Sequence, residues 1–390
     1  MSQIQLIFPF LGKIFFQKII IIIAILGLIT NGNLVDNVKA SMKTTTGRTL
    51  SFLIIWILLS VPFGVYPGQS VAFLLQNYWK MLIMFFLVLG YITSKDDINK
   101  LIWVYICAVG LLSASTVMTS GDSRMAISSD IYDANDTALQ FLLAFPFILW
   151  KLKASKGLRR IALLAIGFII LVGMVKTGSR GGFLGLVVII MLFVLQLKKL
   201  ENTSLIKGFF LISIVSGVII YNSNDAYIER ISTLFNISDD YNLTSSTGRI
   251  EIWKRGIDMM VNNPMLGVGV INFISAEGMF YIDTGSRWNA AHNSFIQIGS
   301  ELGFPGLIAF CLLIYYSVKN IRKIAYDNTK ISEDLFWRYT ALSIVGSWIG
   351  FVVSGSLLSA AYTSFFYFLL ALSLVFIRIE SLSSNELVDN

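Results

Sequence analysis

Three short clusters contain the side chains with chemical capacity. The first is Thr177-Gly178-Ser179-Arg180-Gly181-Gly182. Its three glycines permit close backbone approach and unusual dihedrals. Its arginine offers a planar, permanently charged fork suited to phosphate. The second is Thr247-Gly248-Arg249-Ile250-Glu251-Ile252-Trp253-Lys254-Arg255-Gly256. Ile250, Trp253, Ile257 and Met260 recur at helical spacing, which predicts an amphipathic helix lying on the membrane or on a helix bundle. Ser246 or Thr247 would cap it, and Asn263-Pro264 would end it. Arg249 then falls in the first turn, where the macrodipole disfavours a cation. An anion bound at that helix N-terminus, by free N–H groups and Arg249 together, would make sense of this placement. The third cluster is Asn289-Ala290-Ala291-His292-Asn293-Ser294-Phe295, followed by Glu301-Leu302-Gly303-Phe304-Pro305-Gly306. His292 is the only histidine in the chain, and histidine is poised to move a proton near neutral pH.

Each cluster also has a plain structural reading: a snorkelling arginine in a tight turn, a surface arginine paired with a carboxylate, and a histidine satisfied by a backbone carbonyl. Taken together, two arginines and one possible base under a polar loop suit a substrate with a diphosphate head and a lipid tail. The arginines would hold the leaving diphosphate and spread its charge. The histidine would take a proton from an attacking hydroxyl. No P-loop or dinucleotide fingerprint is present. Cys107 and Cys311 sit in apolar runs and form no disulfide framework. No second histidine or cysteine accompanies His292 on its side, so neither a metal nor a cofactor is expected.

The elements that must position these clusters are membrane spans. Of 390 residues, 55% are hydrophobic and 14% charged, and the mean hydropathy is +0.73. That excludes a soluble globular domain, a disordered tail or a fibrous repeat, and predicts an all-α polytopic membrane protein. Apolar runs fall at 14–30, 50–66, 75–93, 100–118, 137–151, 159–176, 181–197, 205–221, 302–318, 337–355 and 362–379. These are eleven candidate helices near the length a bilayer requires, or twelve crossings if the N-terminus forms a hairpin. No alternating strand pattern of a membrane barrel occurs. Gly303, Pro305 and Gly306 predict a break at the start of one span.

The formal charge of +7 does not indicate nucleic-acid binding, because basic residues first serve as cytoplasmic anchors. Alternate connections hold 19 Lys and Arg against 9 on the other side, with Lys13 and Lys18 set apart. This orients the C-terminus inward and all three clusters outward. Lys13 and Lys18 then fall on the wrong side; Ile19–Ile29 could be a signal-peptide core, although no cleavage pattern follows it. Residues 222–290 form one long outer segment, slightly acidic overall, so its arginines are not inside anchors. A loop of that length is uncommon unless functional. The expected division is 1–221, N-terminal helices; 222–290, an outer loop with the amphipathic helix; and 291–390, C-terminal helices.

Thr177-Gly178-Ser179-Arg180-Gly181, Gly248-Arg249 with Trp253, Asn263-Pro264 to Gly267-Val268-Gly269, and His292-Asn293-Ser294 followed by Glu301-Leu302-Gly303 together resemble the O-antigen ligase/polymerase superfamily. The resemblance covers roughly 176–310. Asp133-Ala134-Asn135-Asp136 resembles an upstream motif in which proline usually stands where this chain has Ala134. The resemblance implies an integral bacterial inner-membrane glycosyltransferase with a large periplasmic loop and a fold like the C-type glycosyltransferases. Such an enzyme takes a glycan from undecaprenyl diphosphate, without a metal and with inversion. The acceptor would be a lipid A core sugar for a ligase, or another lipid-linked repeat unit for a polymerase. By the same analogy Arg180 and Arg249 are the diphosphate clamps and His292 the base. Lys80, Arg255 and Arg287 are further basic candidates, and Trp253 and Asn293 are candidate substrate contacts. Two other classes compete. A transporter or flippase would carry ionisable residues near the midplane and repeated halves, neither of which is seen. A non-enzymatic assembly protein would use the outer loop to bind a partner.

Overall fold

The computed structural model describes residues 22–27, 30, 32–120, 133–201, 205–223, 225–232, 248–282, 288–326 and 335–386. Among these, all regular structure is helical. Nine stretches are long and apolar enough to cross a bilayer, from Thr45–Phe63 to Ser364–Leu382. The chain is therefore an all-α polytopic membrane protein. Of the two remaining expected runs, 14–30 lies largely outside the described residues. The other, 205–221, is the helix Leu205–Asn222, in which Ser213–Asn222 forms a shorter apolar segment.

In chain order the helices are α1 (Gly32–Met42), α2 (Thr45–Ser60), α3 (Pro67–Phe73), α4 (Trp79–Tyr91), α5 (Lys95–Ser120), α6 (Ala134–Ala154), α7 (Gly157–Thr177), α8 (Arg180–Glu201), α9 (Leu205–Asn222), α10 (Asp225–Ser232), α11 (Arg249–Asn262), α12 (Phe273–Phe280), α13 (Ser294–Tyr326), α14 (Leu335–Gly355) and α15 (Ser364–Glu386). The axis of the bundle is α6, packed among α5, α7, α8 and α14. Every residue from Thr137 to Lys151 is buried. Pro146 lies mid-helix in α6, where it deletes one backbone donor. Ser347 and Ser343 of α14 bind nearby carbonyls, donating to Leu143 O at 2.8 Å and Pro146 O at 3.4 Å. Gly346 lets the helices meet there, since a Cβ on it would lie 3.0 Å from Pro146 Cβ. Small residues and interhelical hydrogen bonds are the main glue where lipid removes any hydrophobic drive between helices.

Successive spans run in opposite directions, so the starts of α6, α8 and α13 share one end of the bundle with the finishes of α7 and α14. The opposite end is tied by Arg378 of α15. Its guanidinium donates to Asn37 O at 2.8 Å, Leu89 O at 2.6 Å, Ser41 Oγ at 3.1 Å and the carbonyl of Ile92. By the charge count this arginine is one of the 19 inner basic residues. The residue is buried, because four oxygen acceptors from α1 and the end of α4 replace water around the charge.

The span expected from 302 begins earlier, at Ser294, and is broken at Gly303 (φ 68, ψ −170). That backbone region is essentially reserved for glycine. The loop 263–272 fills the break. Val268 N donates to Ser300 O at 2.8 Å, Gly269 N to Glu301 O at 3.0 Å, and Phe304 N to Pro264 O at 2.8 Å. Trp56 Nε1 takes the Leu302 carbonyl at 3.0 Å. The fully buried Glu301 carboxylate accepts Ile271 N at 2.9 Å and Phe273 N at 3.1 Å. Two of the expected motifs, Pro264 to Gly269 and Glu301 to Gly303, are thus halves of one staple.

Candidate active site

The Arg180 turn is built by its glycines. Gly178 (φ 60) caps α7 in the left-handed conformation. Ser179 Oγ accepts from Gly182 N at 3.2 Å and so caps α8. Gly182 allows α8 to close on its neighbours, for a Cβ there would meet Ala138 Cβ and Met174 Sδ at 2.9 Å. Arg180 is therefore the first residue of α8 and is half-buried. Next to it, a Cβ on Gly181 would lie 3.4 Å from Leu357 Cβ. The turn thus rests on the chain that leaves α14.

The His292 segment docks on the same chain. Ser294 Oγ donates to Leu358 O at 2.7 Å and accepts from Ala360 N at 2.9 Å. Asn293 Oδ1 accepts from Phe295 N and Ile296 N at 2.9 and 3.1 Å. Asn293, expected to touch substrate, is therefore the N-cap of α13. His292 just before it has φ 47, unusual for a residue with a side chain. Strain of this kind costs about 1–3 kcal/mol and persists only where surroundings impose it.

The surroundings are specific. Trp288 (φ 57) lies against Gly278, where a Cβ would be 2.2 Å from the indole. Asn289 N donates to Glu277 Oε2 at 3.0 Å. Trp253 Nε1 donates to Ala291 O at 2.9 Å. Glu277 also pairs with Arg255 at 2.6 Å, both side chains being buried. Trp253, expected as a substrate contact, pins the backbone beside His292. Arg255, expected to assist with substrate, donates through Nη1 to Glu277 Oε1 and ties α11 to α12.

The α11 helix starts at Arg249 with Gly248 as its N-cap and ends at Asn263. Ser246 and Thr247 lie outside the described residues. Its buried face is Ile252, Gly256 and Met259, packed with Phe273, Ala276 and Ala291. This face lies beside the expected stripe, of which Trp253 and Met260 are half-buried and Ile250 and Ile257 exposed. The reason is Gly256, whose missing Cβ admits Ile296 of α13 to within 2.4 Å of where it would stand. This turns the helix onto the bundle.

Electrostatics bring the parts together. Burial holds His292 below its ordinary value, the Arg249 cation pushes it the same way, and the Asp133 carboxylate opposes them. Asp133 caps α6, with Oδ1 accepting Asn135 N and Asp136 N at 2.7 and 2.9 Å. His292, Arg249 and Asp133 are therefore electrostatic neighbours, and Arg180 opens α8 on the same turn that receives Ser294. Two buried polar atoms of the His292 region, Asn289 Nδ2 and Gln297 Oε1, have no hydrogen-bond partner among the described residues. Lys80 is exposed near the start of α4, its Nζ 6.0 Å from the Trp79 ring centre. No hydrogen bond or ion pair joins it to the His292 segment among the described residues. Arg287 lies outside the described residues. The sequence reading missed Glu277 and passed over Asp133 as a site neighbour; the Asp-Ala-Asn-Asp run was the one available signal for the latter.

Residues 165–311 match the O-antigen ligase family. A Rickettsia conorii protein named for polysaccharide ligase activity is 24% identical over 310 residues, covering 74% of this chain and 72% of its own. A Rickettsia felis protein with the same kind of name is 24% identical over 312 residues, again 74% and 72% of the two chains. A ComP-specific O-oligosaccharyltransferase of Acinetobacter baylyi is 24% identical over 311 residues, 73% of this chain and 54% of its own. The matched segment holds Arg180, Arg249, His292 and both halves of the Gly303 staple, and over it this membrane protein is similar to the O-antigen ligase family.

Proposed function

We propose that the protein is an inverting membrane glycosyltransferase of the O-antigen ligase type. It moves a glycan from undecaprenyl diphosphate to an acceptor hydroxyl, a lipid A core sugar, at the periplasmic face of the bacterial inner membrane. His292 takes the hydroxyl proton as that oxygen bonds to the anomeric carbon. The bond from this carbon to the diphosphate oxygen breaks, and the diphosphate leaves with the electron pair. Arg249 and Arg180 spread the charge that develops there. The outer segment 222–290 supplies the roof, between the helices of 1–221 and 291–390. Asn289 Nδ2 and Gln297 Oε1 retain hydrogen-bonding capacity of the kind a sugar hydroxyl uses.

The observation that carries this reading is the placement of a half-buried His292 at positive φ beside the Arg249 cation and the Asp133 carboxylate, surroundings that lower its affinity for protons. A general base must be neutral before it acts, and burial next to a cation keeps it so. Full-length protein in lipid nanodiscs, supplied with undecaprenyl-diphosphate glycan and acceptor, should transfer the glycan. His292→Ala, Arg249→Ala and Arg180→Ala should each lose roughly 100-fold or more. Undiminished turnover in these variants would defeat the assigned roles. Offering lipid A core, a second lipid-linked repeat and a protein hydroxyl side by side separates the acceptors. The name of the Acinetobacter baylyi relative supports including the third. A ladder of growing chains would replace the ligase reading with a polymerase.

A further inference from the structure

The end of the bundle opposite His292 holds a cavity of about 750 Å³ between α8, α13 and α14. Its rim carries Lys199, Lys319, Arg322 and Lys323, all exposed. Two tyrosines stand among them. Lys199 Nζ is 4.1 Å from the Tyr326 ring centre, Arg322 is 5.9 Å from the same ring, and Lys319 Nζ is 5.4 Å from Tyr315. Among the described residues no carboxylate lies within ion-pair distance of these four cations, and none lines the cavity. The deeper walls are aliphatic: Ile314, Val318, Ile349 and Val352. Ile314 is twelve residues before Tyr326 on α13, so the apolar slot rises about 18 Å from the rim into the bilayer.

We propose that this cavity is a binding site for an anionic glycerophospholipid of the cytoplasmic leaflet. The headgroup phosphate sits among Lys199, Lys319, Arg322 and Lys323. One acyl chain runs up the slot between α13 and α14. A soluble phosphate would need the rim alone, and an acidic protein segment would have no use for an aliphatic slot at membrane depth. A diacyl lipid uses both. Tyr326 at the rim suits the same boundary, where amphipathic rings collect. Clustered basic side chains between helices on the inner side attract anionic lipid headgroups. The site lies across the membrane from His292 and takes no part in the transfer reaction, so it stands or falls separately from that reading.

Native mass spectrometry of the full chain, titrated with phosphatidylglycerol and with phosphatidylcholine of the same chains, tests the proposal. The wild type should retain phosphatidylglycerol at least about tenfold more strongly. The quadruple variant Lys199→Gln, Lys319→Gln, Arg322→Gln, Lys323→Gln should bind the two equally. Val352→Trp, which leaves all four charges in place and blocks the slot, should lose phosphatidylglycerol as well. Lys156→Gln with Arg160→Gln, at the same end but away from the cavity, should change nothing. Equal binding by the wild type overturns the proposal, as does a preference that survives the quadruple variant. Stronger retention of undecaprenyl monophosphate than of phosphatidylglycerol would overturn the choice of lipid. Full binding by Val352→Trp would leave only a surface anion site. Variants whose melting matches wild type in detergent are the ones compared.

Discussion

The two ends of the bundle use cations in opposite ways. At the His292 end, Arg255 is buried against Glu277, and the backbone adopts left-handed geometry at Trp288, His292, Ile271, Gly267, Gly269 and Gly303. At the other end, apart from the buried Arg378 that ties α15 to α1 and α4, regular helices end in exposed lysines and arginines that gather around one cavity. The first end fixes positions and the second presents charge. Position is expensive to maintain, because each left-handed side-chain residue and buried ion needs neighbours that enforce it. Charge presentation needs only sequence composition.

That contrast can be broken from the site end first. If neutral His292 is the base, transfer should stay flat as pH falls from about 8 past 6.5. It should then drop tenfold per pH unit below the depressed folded value. The sign agrees for stability. The depressed group favours the folded state above its unfolded pKa, and that advantage is lost as pH falls through the folded one. A rate that declines already above 6.5 would contradict the assigned cause.

Glu277→Gln comes next, since it strands a buried guanidinium; a loss of about 3–5 kcal/mol is expected in denaturant or thermal melts. Gly303→Ala should cost about 1–3 kcal/mol from its backbone angles, with more added because a Cβ would stand 2.4 Å from Pro264 O. Trp253→Phe keeps an aromatic ring, though a smaller one, and deletes the bond to Ala291 O. A cost of about 1 kcal/mol should accompany a several-fold lower turnover with little change in acceptor KM. Lys156→Gln, at the charged end, should stay within about 0.5 kcal/mol of wild type. A large effect there would erase the distinction between the two ends.

The candidate site was legible as far as its proposed residues belong to types that need a reason. Arg180 and Arg249 could not be inside anchors, and His292 had no counterpart. Spans were legible from hydropathy alone, and the Gly303 break from its Gly and Pro. What could not be read were the partners. Glu277 lies 22 residues from Arg255 and serves both it and Asn289 N. Nothing local in either stretch marks the pairing. The face of α11 that packs on the bundle was hidden for a related reason. Hydropathy favoured Ile250 and Ile257, whereas the buried side is chosen by what Gly256 lets in from α13. Asn293 was read as a ligand contact because its cap function depends on where α13 starts, eight residues before the apolar run suggested.

The positive φ of His292 also decides which replacement is most instructive. Alanine inherits the strain and removes the ring, so two effects mix. Glycine accepts that backbone angle freely and leaves an imidazole-shaped gap between Arg249 and Asp133. Free imidazole in the buffer could occupy such a gap and lend the missing nitrogen. A His292→Gly enzyme revived by a diffusible heterocycle would separate proton chemistry from architecture in a single titration.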